Sequence, residues 1–63
     1  MPNILFYGPK LTKDQKAELV KRFTEISESV TRIPAQAFVV NIIESDPENV
    51  GVGGILLADR HRS

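Results

Sequence analysis

The sequence predicts an α/β fold, a β-α-β subunit with parallel strands and a C-terminal β-hairpin, completed by oligomerisation. Three observations predict it. Two short apolar runs flank an amphipathic segment of helical length, a glycine-rich reversal lies near the carboxyl end, and 63 residues leave little chain for a core. A domain of this size buries only about 60% of its unfolded surface. Two strands alone do not make a stable sheet, and there is no cysteine to cross-link the chain. Self-association is the remaining remedy, and residues 1–63 read as one unit with no linker or repeat.

Asn3 to Tyr7 opens the chain as an apolar run stopped by Gly8-Pro9, which suits a strand covered on both faces. Thr12 stands three residues before Gln15, the spacing at which a hydroxyl and an amide side chain satisfy each other's backbone N–H groups at a helix start. Leu19, Phe23, Ile26, Val30 and Ile33 then recur at steps of four and three, placing them on one stripe directed at the core. The other face is charged, with Glu18 to Arg22 and Glu28 to Arg32 spaced for pairing one turn apart. Pro34 is expected to end the helix, because its ring blocks further helical hydrogen bonding.

Ala37 to Ile43 is rich in β-branched residues and reads as the second strand. The helical crossover makes the two strands parallel. Val39 and Ile43 fall on the face opposite Phe38, Val40 and Ile42, and one helix covers only one face, so a second subunit is expected on the other. Glu44 to Asn49 is a polar loop around Asp46-Pro47. Gly51-Val52-Gly53-Gly54 permits a tight reversal into Ile55 to Ala58, apolar residues expected at a subunit interface.

Composition excludes several functions. Eight basic and eight acidic residues cancel, and no cluster of Lys or Arg forms the electrostatic footprint of a nucleic-acid binder. No apolar run reaches bilayer-spanning length, and Met1-Pro2-Asn3 lacks the features of a secretion signal, so a cytoplasmic location is expected. The lone His61 has no neighbouring pattern of metal ligands, and no metal site is expected. Gly51 to Gly54 lacks the spacing of a phosphate loop.

Pro2 is the unusual residue. Methionine is commonly trimmed before a small residue, and trimming would leave proline as a free secondary amine. An α-amino group titrates near about 7.7 to 8.0, and apolar surroundings lower that value toward neutrality, where a general base works best.

Met1-Pro2 leading into a strand, Thr12-Lys13-Asp14-Gln15-Lys16 at a helix start and Val50-Gly51-Val52-Gly53-Gly54 in a late hairpin together resemble the 4-oxalocrotonate tautomerase family from end to end. The resemblance implies a subunit that dimerises into a four-stranded sheet, with dimers assembling as a hexamer through their C-terminal hairpins. It also implies cofactor-free proton transfer. The proline nitrogen takes a proton from a small enol, dienol or 2-keto acid and returns it to carbon.

Pro2 matches the catalytic position. The family's helix-preceding arginine, which binds a substrate carboxylate, falls at Lys10 or Leu11. Lys10 is the substitute, supplying a point charge rather than a bidentate fork. The family's strand-two arginine is replaced by Val39, and its aromatic wall before the glycine hairpin by Val50. With that cation gone, the usual dicarboxylate substrate is not expected, and Asn41, on the same strand face as Val39, is the candidate donor to enolate charge. Tyr7, Asn49, Arg60, His61 and Arg62 are reserve candidates. The competing reading is a non-catalytic oligomeric binding or assembly protein that keeps the fold.

Overall fold

The structure is a computed structural model, and it describes residues 1–60. Strand β1 (Asn3–Gly8) leads into helix α1 (Lys13–Thr31), a 3-10 turn (Ala35–Ala37) and strand β2 (Val39–Glu44). A second 3-10 turn (Pro47–Asn49) precedes the hairpin strands β3 (Gly51–Val52) and β4 (Ile55–Leu56), and Leu57–Arg60 form a third. β1 and β2 are parallel, with Asn3 opposite Val39 and Gly8 opposite Glu44. β3 and β4 are antiparallel.

The helix starts as the capping chemistry requires. The Gln15 N–H donates to Thr12 Oγ1 at 3.1 Å, and the Thr12 N–H donates to Gln15 Oε1 at 3.0 Å. Its end differs from the expected stop at Pro34. Arg32 adopts the left-handed conformation (φ 67°) and its N–H donates to the Glu28 carbonyl at 2.8 Å, so the chain has already left the helix when it reaches the proline. Glu18 and Arg22 form their ion pair. Glu28 instead accepts the Ala35 N–H at 3.2 Å, which ties the turn before β2 back to the helix.

Strand alternation sorts the sheet into two faces. Phe6 points at α1, its ring centroid 5.8 Å from that of Phe23, and Ile4, Val40 and Ile42 share that half-buried side. Leu5, Tyr7 and Val39 point the other way and are exposed. No described residue is fully buried.

The helical stripe is only partly covered. Leu19 and Phe23 are half-buried, whereas Ile26 and Val30 are 60% and 74% exposed. The reason is angular. The half-buried line of the helix runs through Lys16, Phe23 and Ser27, and at about 3.6 residues per turn Ile26 and Val30 fall to one side of it, on a flank that the narrow two-stranded sheet does not reach. At the other end of the chain Gly53 and Gly54 (φ 63° and 86°) make the hairpin turn, the positive-φ pair a two-residue reversal demands. The apolar residues after it, Ile55, Leu56 and Leu57, stay exposed at 52%, 43% and 41%.

Candidate active site

The residues singled out in the sequence divide between the two ends of the parallel sheet. Pro2 precedes the first residue of β1 and is half-buried. Its carbonyl accepts the Val39 N–H at 3.0 Å, which fixes the amino end of the chain against the start of β2. Asn41 stands on the exposed face, where its Nδ2 donates to Asn3 Oδ1 at 3.0 Å. That bond uses one of the two amide N–H donors and leaves the other, with the Asn41 carbonyl oxygen, for a further partner.

Lys10 lies at the opposite end, past the carboxyl terminus of β1. A six-residue strand separates it from Pro2, roughly 20 Å at the rise of an extended chain. The two cannot meet within one protomer. Around Lys10 the chain is well anchored: the Ser45 N–H donates to the Gly8 carbonyl at 2.8 Å, and the Leu11 N–H donates to Glu44 Oε2 at 3.2 Å. Lys16 Nζ stands 2.8 Å from the same carboxylate oxygen. The hydrogen bond to Lys16, followed by that from the Leu11 N–H, holds the Glu44 carboxyl below the ordinary carboxylate range.

Two adjoining clefts occupy this end. One, of about 260 Å³, is bordered by Lys10, Glu44, Ser45, Asp46 and Pro47. The other, of about 330 Å³, shares Ser45 and Pro47 and adds Tyr7, Pro9, Val50 and Leu57. Asp46 is turned toward the following 3-10 turn, its Oδ1 accepting the Glu48 N–H at 3.0 Å. Lys10 forms no ion pair among the described residues.

Of the reserve candidates, Tyr7 lines the second cleft. Asn49 and Arg60 lie in 3-10 turns, and His61 and Arg62 are outside the described residues. Among the described residues no group of His, Asp and Glu is arranged to hold a metal ion, and no helix is long and apolar enough to cross a membrane. Glu44, which organises the Lys10 end, is not identifiable from sequence, because its contact with Leu11 joins positions 33 residues apart.

Residues 2–60 match the family described as tautomerase enzyme. The chain belongs to that family. Among solved structures it is similar to DmpI from Archaeoglobus fulgidus, at 41% identity and a TM-score of 0.86, over 92% of this chain and 100% of that one. An unfused 4-OT in its apo form is 32% identical with a TM-score of 0.87, covering 94% of this chain and 98% of the other. A heterohexamer 4-oxalocrotonate tautomerase from Chloroflexus aurantiacus is 25% identical with a TM-score of 0.86, covering 94% and 97%. No match is found among curated proteins. The β-α-β unit with its C-terminal hairpin is thus the tautomerase-like fold read from the sequence.

Proposed function

We propose that this tautomerase-family chain is a cofactor-independent isomerase, with Pro2 as the proton-carrying group once Met1 is removed. The supporting observation is the placement of Pro2: it sits at the mouth of β1, half-buried, its carbonyl tied to the Val39 N–H in a chain of this family. Loss of Met1 frees its nitrogen as a secondary amine. The amine takes the hydroxyl proton of a small enol or dienol, or in the reverse direction the α-carbon proton of the related 2-keto acid. The O–H electron pair closes the carbonyl, the carbon–carbon π pair shifts, and the same proton returns to carbon. The charge balance needs no oxidant or reductant.

Lys10 supplies the cation for the substrate carboxylate and Asn41 a hydrogen bond for enolate charge, and both roles require more than one copy of the chain. The free edge of β1 is the natural joint. Beside it runs a groove of about 430 Å³ bordered by Phe6, Pro9, Leu11 and Leu19, with no residue from β2. Full antiparallel pairing of Asn3–Gly8 with its own copy sets Pro2 of one protomer opposite Pro9 of the other. Lys10 of each then comes within reach of the other's proline. The result is one domain over residues 1–63 that works as a dimer-based homo-oligomer, a hexamer when the exposed sheet faces and hairpins are covered.

The test compares processed protein with Pro2→Ala in ketonisation of phenylenolpyruvate and 2-hydroxymuconate. A drop of at least about 100-fold in kcat/KM is expected, within the range ascribed to general acid–base catalysis. Equal rates would remove Pro2 from the mechanism. A second reading, a non-catalytic assembly protein, is favoured by Val39 and Val50 at the positions of the family's arginine and aromatic residue. Intact mass separates the two early, since retained Met1 leaves the proline nitrogen an amide without basicity.

A further inference from the structure

Pro2 is held in place by β2, through the Val39 N–H that donates to its carbonyl at 3.0 Å. Val39 opens that strand, so its position depends on the segment that delivers the chain from the helix. Two pieces make up the segment. At the helix end the Arg32 N–H donates to the Glu28 carbonyl at 2.8 Å and the Ile33 N–H to Thr31 Oγ1 at 3.1 Å. In the 3-10 turn the Ala37 N–H donates to the Pro34 carbonyl at 3.0 Å and the Phe38 N–H to the Ala35 carbonyl at 3.1 Å. Each of these bonds stays within its own piece. The bond that joins them comes from the Glu28 side chain, whose Oε2 accepts the Ala35 N–H at 3.2 Å, seven residues on. Proline has no N–H, so Ala35 offers the first backbone donor after Ile33 by which the turn can be tied down.

We propose that Glu28 is a positioning residue for Pro2: by tying the Ala35–Ala37 turn to the helix it sets the start of β2, and through the Val39 N–H it sets the place of the amino-terminal proline. This role rests on the reading of Pro2 as the proton carrier. Glu28 itself touches no reacting atom. It acts through backbone, and small errors of placement are expensive for a group that must meet a proton at bonding distance. Glu28 also stands clear of the proposed joint. It lies two positions on from Ile26, about 200° round the helix, so a copy that covers the exposed flank leaves this tie untouched. Its carboxylate has a second use that the spacing to Arg32 concealed, because Arg32 turns out of the helix in the left-handed conformation and the Glu28 side chain reaches onward to the turn instead.

The experiment compares wild type, Glu28→Ala and Glu28→Gln as assembled, Met1-processed proteins. Alanine removes the acceptor for the Ala35 N–H, whereas glutamine keeps an amide oxygen for it without the charge. In ketonisation of phenylenolpyruvate, Glu28→Ala is expected to lower kcat by roughly 3- to 10-fold, the scale of one hydrogen bond's net contribution. KM should stay within about twofold, because no substrate contact is lost. Glu28→Gln should restore most of the rate. Alanine is the better helix former, so slower catalysis in Glu28→Ala cannot come from a weakened helix. Amide hydrogen exchange gives the independent reading: Ala35 and Val39 should exchange faster in Glu28→Ala, while Phe23 in mid-helix keeps its wild-type rate. A uniform rise at all amides, equal rates for the alanine and glutamine variants in which both fall, or a raised KM at unchanged kcat would each overturn the proposal. Wild-type turnover by Pro2→Ala would sink the proton-transfer reading alone. Localised exchange at Ala35 and Val39 would then still support the placement, and unchanged exchange there would overturn it.

Discussion

Glu44 shows how a single carboxylate can fasten the loop that borders its cleft. It ends β2, accepts the Leu11 N–H at 3.2 Å and meets Lys16 Nζ at 2.8 Å, so it fastens the loop that carries Lys10 to both the sheet and the first turn of the helix. Because those partners hold its pKa down in the folded state, its contribution to stability is fully present above the unfolded carboxyl's value, about 4.3, and is lost as pH falls through the lower folded value. Thermal melts of wild type and Glu44→Gln should accordingly differ most near pH 6 and converge as pH falls below about 4; a gap that stays constant across that range would remove the ion pair from the account. Glu44→Gln keeps an acceptor for the Leu11 N–H, whereas Glu44→Ala does not. KM for a carboxylate substrate should therefore rise more in the alanine variant, by roughly 3- to 10-fold. None of this was legible in the sequence, where Glu44 is one acidic residue in a polar stretch. Pro2 and Asn41 stood out by position and by strand alternation, which are local properties.

At the scale of elements, local chemistry was readable and conformational choices without a compositional marker were not. Thr12 and Gln15 announce the helix start because both halves of the reciprocal cap are side chains. The helix end was placed at Pro34, yet the chain turns at Arg32, whose left-handed φ of 67° has no signature in an arginine. The same early exit places Ala37, expected to open the second strand, in the 3-10 turn Ala35–Ala37, and β2 begins at Val39. The left-handed conformation costs a non-glycine residue roughly 1–2 kcal/mol, partly offset in a glycine replacement by the extra entropy of the unfolded chain, about 0.5–1 kcal/mol. Arg32→Gly should thus raise the thermal midpoint, with a net gain of about 0.5–1 kcal/mol per protomer. A lowered midpoint at the same protein concentration would show that the Arg32 side chain stabilises the fold by more than its backbone conformation costs it. In the hairpin, by contrast, Gly53 and Gly54 adopt the positive φ values their residue type signals.

For the whole molecule, the decisive fact is that no described residue of one protomer is completely buried while apolar surface is displayed on several sides. The exposed flank of α1, with Ile26 at 60% and Val30 at 74% exposure, continues along the helix from Leu19, which borders the groove beside the free edge of β1. A copy joined along that edge would cover groove and flank together, and the same antiparallel joint would carry Lys10 to Pro2. The sequence showed that the sheet needed a partner. It could not show that Pro2 and Lys10 lie at opposite ends of one protomer, because eight positions in a chain measure a distance only once the strand is known to be extended. Assembly and activity are consequently expected to fail together. Val30→Glu places a charge on the exposed helix flank beside the proposed joint, where burying it unpaired would cost several kcal/mol per protomer. Native mass should then report a smaller species than wild type at equal concentration, and ketonisation should fall with the loss of assembly. Raising protein concentration should restore both in parallel, since association is governed by mass action. A Val30→Glu protein that keeps its native mass would move the joint elsewhere, and one that dissociates yet turns over substrate at the wild-type rate would refute a site shared between copies.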